Sequence, residues 1–245
     1  NCFNTGFIPK SLKESIITPL HKGGSKAVPA NYRPIALTSH LIKIFEKVIR
    51  NSIVIFLTEN NLYNDNQHGF RPGRSCLSQL LEHFDYILCL LESNNNVDVI
   101  YFDFAKAFDK VDFDIVLQKL SNIGIGGALH WWISSFLNNR SQKVIVDGVK
   151  SKSVPVISGV PQGSVLGPLL FLIHISDIDL EINHTLVTSF ADDTRAVSKI
   201  KTMRDLSNLQ SDIYQIYEWT NNNNMQLNDT KLVALRYGND DSIKI

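Results

Sequence analysis

The 245-residue sequence has little cysteine, two methionines and no long hydrophobic run, and each shortage excludes a class of protein. Its three cysteines, Cys2, Cys76 and Cys89, are odd in number and scattered, so they suit neither a disulfide framework nor a zinc knuckle. A reduced, intracellular setting is expected instead. Apolar stretches such as residues 168–173 fall far short of the roughly 20 residues a membrane span needs. The opening Asn1-Cys2-Phe3-Asn4 has no Met, no basic segment and no apolar core. It does not read as a signal peptide, and the missing Met is what a fragment of a longer chain would show. Hydrophobic residues at 44% and charged residues at 20% lie in the ordinary globular range, which excludes wholesale disorder. The length suits one large domain or two small ones.

Net charge is zero, but it is unevenly placed. Residues 1–74 hold ten of the 24 basic residues and four of the 24 acidic ones, a balance of +6, which leaves −6 for the remainder. A basic first third suits a polyanion such as nucleic acid, and an acidic remainder can gather carboxylates around a metal. Solvated faces of no particular function would produce the same split.

Periodicity gives the organisation. Leu41, Ile42, Phe45, Val48, Ile49, Ile53 and Phe56 predict an amphipathic helix over 39–58, and Leu77, Leu80, Leu81, Phe84, Ile87 and Leu88 a second one. Residues 97–104 read as a strand, followed by a helix over 114–123 with Gly124 as its stop. Strands are expected over 143–149 and 154–157, and a buried helix over 164–175. A hairpin over 185–197 has Ala191-Asp192-Asp193 at its tip. An amphipathic helix over 206–219 and a short strand over 232–236 complete the pattern. Asn94-Asn95-Asn96 and residues 221–224 read as loops. No fixed-period repeat is present. Helices and strands mix without regular alternation, which predicts an α+β fold.

Three sites carry chemistry. Asp103 ends an otherwise apolar strand, where a carboxylate is costly unless paired or metal-bound. Asp109 and Asp112, close behind it, read equally as acids at the start of the next helix. Asp192 and Asp193 are adjacent carboxylates at a tight turn. They repel each other unless a divalent cation intervenes, and hard oxygen donors suit Mg²⁺ better than zinc. A plain surface Asp-Asp turn is the alternative. The third site, residues 158–168 (Ser-Gly-Val-Pro-Gln-Gly-Ser-Val-Leu-Gly-Pro), is a glycine-flanked loop running into a helix. It lacks the Gly-Lys-Ser/Thr ending of a phosphate loop.

Taken in order, residues 101–109 (Tyr-Phe-Asp-Phe-Ala-Lys-Ala-Phe-Asp), the 158–168 loop and Phe190-Ala191-Asp192-Asp193 resemble motifs A, B and C of the reverse transcriptase palm. The resemblance is to the enzymes of non-LTR (LINE-type) retrotransposons. Residues 31–37 (Asn-Tyr-Arg-Pro-Ile-Ala-Leu) and 67–75 (Gln-His-Gly-Phe-Arg-Pro-Gly-Arg-Ser) match earlier family phrases, and residues 221–231 look like motif D. The match runs from about Ile8 to Gly238. Ser176 stands where the family usually has asparagine before Asp177.

The resemblance implies an RNA-directed DNA polymerase extending a primer 3′-hydroxyl with dNTPs on an RNA template. It implies a right-hand fold, with fingers over about 1–94 and 114–154, palm over about 95–113 and 155–240, and a thumb missing or truncated. Asp103, Asp192 and Asp193, with the Phe104 carbonyl, would hold two Mg²⁺ ions, Mn²⁺ being a substitute. Phe108 would be the sugar-sensing gate, Gln162 would pack by the incoming nucleotide, and Lys231 would protonate the leaving pyrophosphate. Core packing is the other reading of Phe108. Arg33 falls among the fingers residues that grip the triphosphate. Arg71 and Arg74 could serve there, hold the template backbone, or be surface charges. The expected partners are an RNA template, a DNA primer and the rest of a larger polyprotein, with no membrane. The expected setting is the nucleus, with a cytoplasmic ribonucleoprotein stage. A group II intron-type or other cellular reverse transcriptase, and an inactive nucleic-acid-binding relic of a mobile element, are the competing readings. A metal-dependent nuclease leaves the 158–168 phrase and Phe108 without a role.

Overall fold

The computed structural model describes residues 2–238, so the last residues of the expected palm, 239 and 240, lie outside the described part. The elements in chain order are α1 (Cys2–Thr5), α2 (Lys10–Lys13), β1 (Glu14–His21), β2 (Tyr32–Leu37), α3 (His40–Glu59) and α4 (Cys76–Glu92). Then come β3 (Asn96–Phe102), α5 (Phe113–Asn122), α6 (Gly127–Leu137), β4 (Arg140–Val146), β5 (Val149–Lys150) and β6 (Val154–Val156). The chain continues through α7 (Gly167–His174), β7 (Leu186–Phe190), β8 (Asp193–Ile200), α8 (Met203–Asn222) and β9 (Val233–Tyr237). Helices and separate antiparallel-rich sheets make the class α+β, as the pattern predicts.

Two compact units interleave along the chain. One holds the residues up to Leu62 together with Phe108–His174, and the other Tyr63–Ala107 together with the residues from Ile175 onward.

In the first unit the sheet order is β2-β1-β4-β5, with β6 also paired to β4. β1 runs antiparallel to β2 and parallel to β4. Neither β1 nor β2 is evident in the sequence, because each contains a proline. Pro19 and Pro34 face each other in register, which is tolerable only at a non-hydrogen-bonded pair, where neither N–H is needed. The expected 143–149 strand is instead the β4–β5 hairpin, turning at Asp147-Gly148 with both residues at positive φ. α6 was not evident either. Its Trp132, Ile133, Phe136 and Leu137 are all buried, and its hydrophobicity lacks a clean polar stripe. α7 is shorter than expected but buried along seven of its eight residues. Its start is capped from α3. Glu46 Oε2 accepts the N–H groups of Val165 and Leu166 at 2.6 and 2.8 Å, replacing hydrogen bonds the first turn cannot make internally. Burial raises the Glu46 pKa, and those two N–H groups oppose the rise.

The second unit has the antiparallel order β7-β8-β3-β9. β3 is central and almost wholly buried, which explains its run of Val, Ile and Phe. Val97 and Val99 join Ile87 of α4 and Val197 of β8 in one core cluster. The expected strand over 97–104 ends two residues early. Phe104 makes only an isolated bridge to Leu227. Nor is Asp103 the only acid on this strand's path. Asp98 is fully buried and holds Arg236 of β9 in a two-pronged ion pair at 2.6 Å per contact. The asparagine runs are partly helical and partly strand. Asn221 and Asn222 close α8, while Asn96 opens β3.

Candidate active site

The register of β3 on β8 brings two of the predicted acids to one end of the sheet. Phe102 pairs with Thr194, so Asp103 leaves β3 at the end where Asp193 enters β8. Asp192 precedes it in the two-residue connection between Phe190 and Asp193, which are themselves paired. Asp192 is half-buried and Asp193 exposed. Ala191, the first residue of that connection, has φ +55°, a left-handed conformation that costs a non-glycine residue roughly 1–2 kcal/mol.

Asp103 is tied to the 226–231 segment. Its carbonyl accepts the Asn228 N–H at 2.7 Å, and Ala105 N–H donates to the Gln226 carbonyl at 2.8 Å. Asp103 Oδ2 accepts Asn228 Nδ2 at 3.2 Å and Lys231 Nζ at 3.0 Å. The Asp103 side chain is 33% exposed and that of Lys231 63%, so this is a solvent-facing pair. Among the described residues no three His, Cys, Asp or Glu side chains are gathered closely enough to hold a metal ion. A cation does stand on Asp103, however, and it is the Lys231 ammonium.

The turn bearing Asp192 rests on the 67–75 phrase. Gln67 Oε1 accepts the N–H of Ala191 at 2.8 Å and Gln67 Nε2 donates to the Ala191 carbonyl at 3.1 Å. Gly69 is required beside it, since a Cβ there would lie 2.3 Å from the Ala191 nitrogen. Arg71 is committed within this phrase. Its guanidinium donates to the Asn64 and Gln67 carbonyls at 2.5 and 3.3 Å and lies 4.8 Å over the Tyr63 ring. Arg74 is ion-paired with Glu82.

The remaining predicted residues belong to the first unit. Gln162 Nε2 donates to Asp109 Oδ1 at 2.9 Å, and its carbonyl accepts the Ala36 N–H at 2.7 Å. Gly159 (φ +85°) lets the loop lie against Asp109, whose carbonyl oxygen would be 2.6 Å from an added Cβ. Asp112 is the N-cap of α5, accepting from Asp114 and Ile115, which is the bland reading of that acid. Phe108 lies in a single turn over Ala107–Lys110, half-buried, its ring stacked on Phe171 at 4.4 Å. Arg33 is exposed on β2, opposite Leu20.

Sequence reasoning missed the roles of Gln67 and Asn228 and the Asp98–Arg236 pair. For Asp98 a signal existed, one acid in a buried strand and one base in the last strand. For Gln67 nothing in the spacing pointed to a turn far along the chain.

Comparison with known proteins gives the family and the fold. Residues 20–244 match the family model described as reverse transcriptase (RNA-dependent DNA polymerase). The chain is 30% identical to the RNA-directed DNA polymerase from mobile element jockey of Drosophila melanogaster, over 96% of this chain and 27% of that protein. It is also 30% identical to the probable RNA-directed DNA polymerase from transposon X-element of the same fly, over 92% of this chain and 25% of that protein. It thus spans about a quarter of the length of the curated relatives it matches. The fold is similar to that of apo telomerase from Candida tropicalis truncated of its C-terminal domain, with a TM-score of 0.71 at 13% identity, covering 96% of this chain and 52% of that one. The ordered phrases, the shared sheet end of Asp103 and the Asp192–Asp193 turn, and these matches lead to one conclusion: the chain belongs to the reverse transcriptase family, on its LINE-type retrotransposon branch.

Proposed function

We propose that this chain extends a DNA primer 3′-hydroxyl with deoxynucleoside triphosphates on an RNA template. The observation that carries the reading is the arrival of Asp103 and the Asp192–Asp193 turn at one end of the β3–β8 pair. Reverse transcriptase domains are generally metal-dependent, and this donor set is all hard oxygen, which suits Mg²⁺ with Mn²⁺ as a substitute. Asp103, Asp192, Asp193 and the Phe104 carbonyl are the groups that would hold two ions. When bound, such ions lower the barrier to in-line attack on a phosphoryl group.

The chain's own residues do the rest. Lys231, whose ammonium lies 3.0 Å from Asp103 Oδ2, is the group that would give a proton to the leaving pyrophosphate. Arg33, exposed on β2, is the cation that grips the triphosphate, whereas Arg71 and Arg74 stiffen the 67–75 phrase. Gln162, fixed through its own carbonyl and its side chain, presents the loop beside the incoming nucleotide. The fingers are residues about 1–94 and 114–154, and the palm about 95–113 and from about 155 onward. The place of action is the nucleus, with a cytoplasmic ribonucleoprotein stage. Named relatives are RNA-directed DNA polymerases of mobile elements, which supports the template assignment.

The test is primer extension on an RNA template with Mg²⁺. Asp103→Ala and Asp192→Ala should each lower the rate by roughly 10³-fold, about 4 kcal/mol of lost transition-state stabilisation. Full extension by either folded variant would end the assignment.

A further inference from the structure

We infer that Gln67 is the positioning residue of the Asp192–Asp193 turn, holding Ala191 in its left-handed conformation and so setting where the two carboxylates leave the sheet. This deepens the polymerase reading and rests on it. The buried carboxamide, 6% exposed, uses both of its ends on the turn. Its oxygen accepts from Ala191 N–H and from Gly69 N–H, each at 2.8 Å, and its nitrogen donates to the Ala191 carbonyl. The two bonds to Ala191 grip one peptide unit on either side of a single Cα, which is what fixes a backbone torsion. Alanine at φ +55° has no local reason to stay there, because its Cβ crowds the backbone. An external clamp supplies that reason.

The clamp is itself anchored. Residues 66–68 lie along the outer edge of β7. His68 N–H donates to the Ser189 carbonyl at 2.8 Å, and Ser189 N–H donates to the Asn66 carbonyl at 2.9 Å. Arg71 holds the Gln67 carbonyl from the other side. Gly69 leaves no space between this segment and the turn. The path Arg71–Gln67–Ala191–Asp192 is therefore continuous contact, and a family phrase far from the acids in sequence becomes their support.

A merely satisfied buried amide and a positioning amide respond differently to glycine. Gln67→Met keeps the volume and removes all three bonds of the carboxamide. In the positioning case Ala191 relaxes out of the left-handed region and takes Asp192 with it. Single-turnover extension at saturating primer–template should fall by about 10²-fold, as a displacement near 1 Å produces. Primer–template affinity should be unchanged. Hydrogen exchange across 186–197 should quicken. Adding Ala191→Gly, which makes the left-handed conformation free of Cβ crowding, should restore most of the lost rate. If Gln67 were only a satisfied core amide, the extra glycine would further weaken the chain and rescue nothing. A wild-type rate in Gln67→Met, unchanged exchange at the turn, or no rescue by Ala191→Gly would each overturn the proposal. Where Gln67→Met does not fold, Gln67→Glu keeps size and acceptor but loses the donor and brings a carboxyl group beside the turn, and a wild-type rate and exchange in that variant overturn the proposal equally. If the unmutated protein extends no primer, the polymerase reading fails, and the exchange at the turn still judges the clamp.

Discussion

Two readings of Phe108, sugar gate and core packing, can be separated by a single substitution. Its ring stacks on Phe171 at 4.4 Å with an interplanar angle of 19°, so one face already packs within its own unit. As the sugar gate, the apolar ring would offer a ribose 2′-hydroxyl no hydrogen bond, at roughly 1–3 kcal/mol. Phe108→Val should therefore raise ribonucleotide use relative to deoxyribonucleotide use by about tenfold to a hundredfold. It should also lose some stability through the vacated stack. The ratio of incorporation efficiencies for matched dNTP and rNTP decides it. An unchanged ratio in a folded variant would leave Phe108 as packing alone.

Helix α4 shows how an element can turn an unexpected side to its sheet. Of the apolar stripe Leu77, Leu80, Leu81, Phe84, Ile87 and Leu88 only Ile87 is buried, and Gln79 and His83 are buried with it. These three recur every four residues and make one continuous line facing β3 and β7. Gln79 accepts from Arg195 at 3.0 Å, and His83 packs edge-on near Tyr101 of β3. Neither His83 ring nitrogen has a partner among the described residues. Burial, with the Arg195 charge adding to it, lowers the His83 pKa to about 4. In the unfolded chain the imidazole titrates near 6.5, so protons bind the unfolded state first. Stability should be full above about pH 6.5 and decline as the pH falls toward 4, by up to about 3 kcal/mol. Urea midpoints from pH 7 to 4.5 measure this, and His83→Leu should flatten the slope. The same acid slope in that variant would place the titrating group elsewhere. The helix itself was legible from its leucine spacing, but which side faces the sheet was not. Periodicity shows that a stripe exists, and only the neighbouring strand selects what lies beneath it.

At the scale of the molecule, the uneven charge has a structural outlet in the first unit. Lys22 and Lys26 are exposed in the connection between β1 and β2, with Arg33 exposed on β2 beside it. Lys13, counted in the same basic third, is instead buried, its ammonium donating to Ser135 Oγ at 3.1 Å. Affinity for an RNA–DNA hybrid should fall steeply with salt as counterions are released. Replacing both Lys22 and Lys26 with alanine should reduce the log–log slope by about 1–2. A slope unchanged by the double replacement would remove this hairpin from the nucleic-acid face.

The class, the central buried strand, the hairpin with its paired acids and the start of α5 at Asp112 were all readable along the chain. Each is written in short-range terms, such as side-chain period, β-branching, a turn residue or a capping carboxylate, and these act between near neighbours. Facing prolines hid β1 and β2, and uniform hydrophobicity hid α6, because in those segments the local signal is absent or cancelled. The order of the phrases carried the family as well. The contacts that shape the site are of another kind. Asp98 meets Arg236 across 138 residues, Asp103 meets Lys231 across 128, and Gln67 meets Ala191 across 124. Nothing in the spacing of either partner encodes such a meeting, because it exists only once sheet order and register have brought the two segments together. The residue types able to do the chemistry were thus present in the linear chain, while the tertiary structure alone decided which lysine stands on Asp103 and which glutamine holds the turn beneath Asp192.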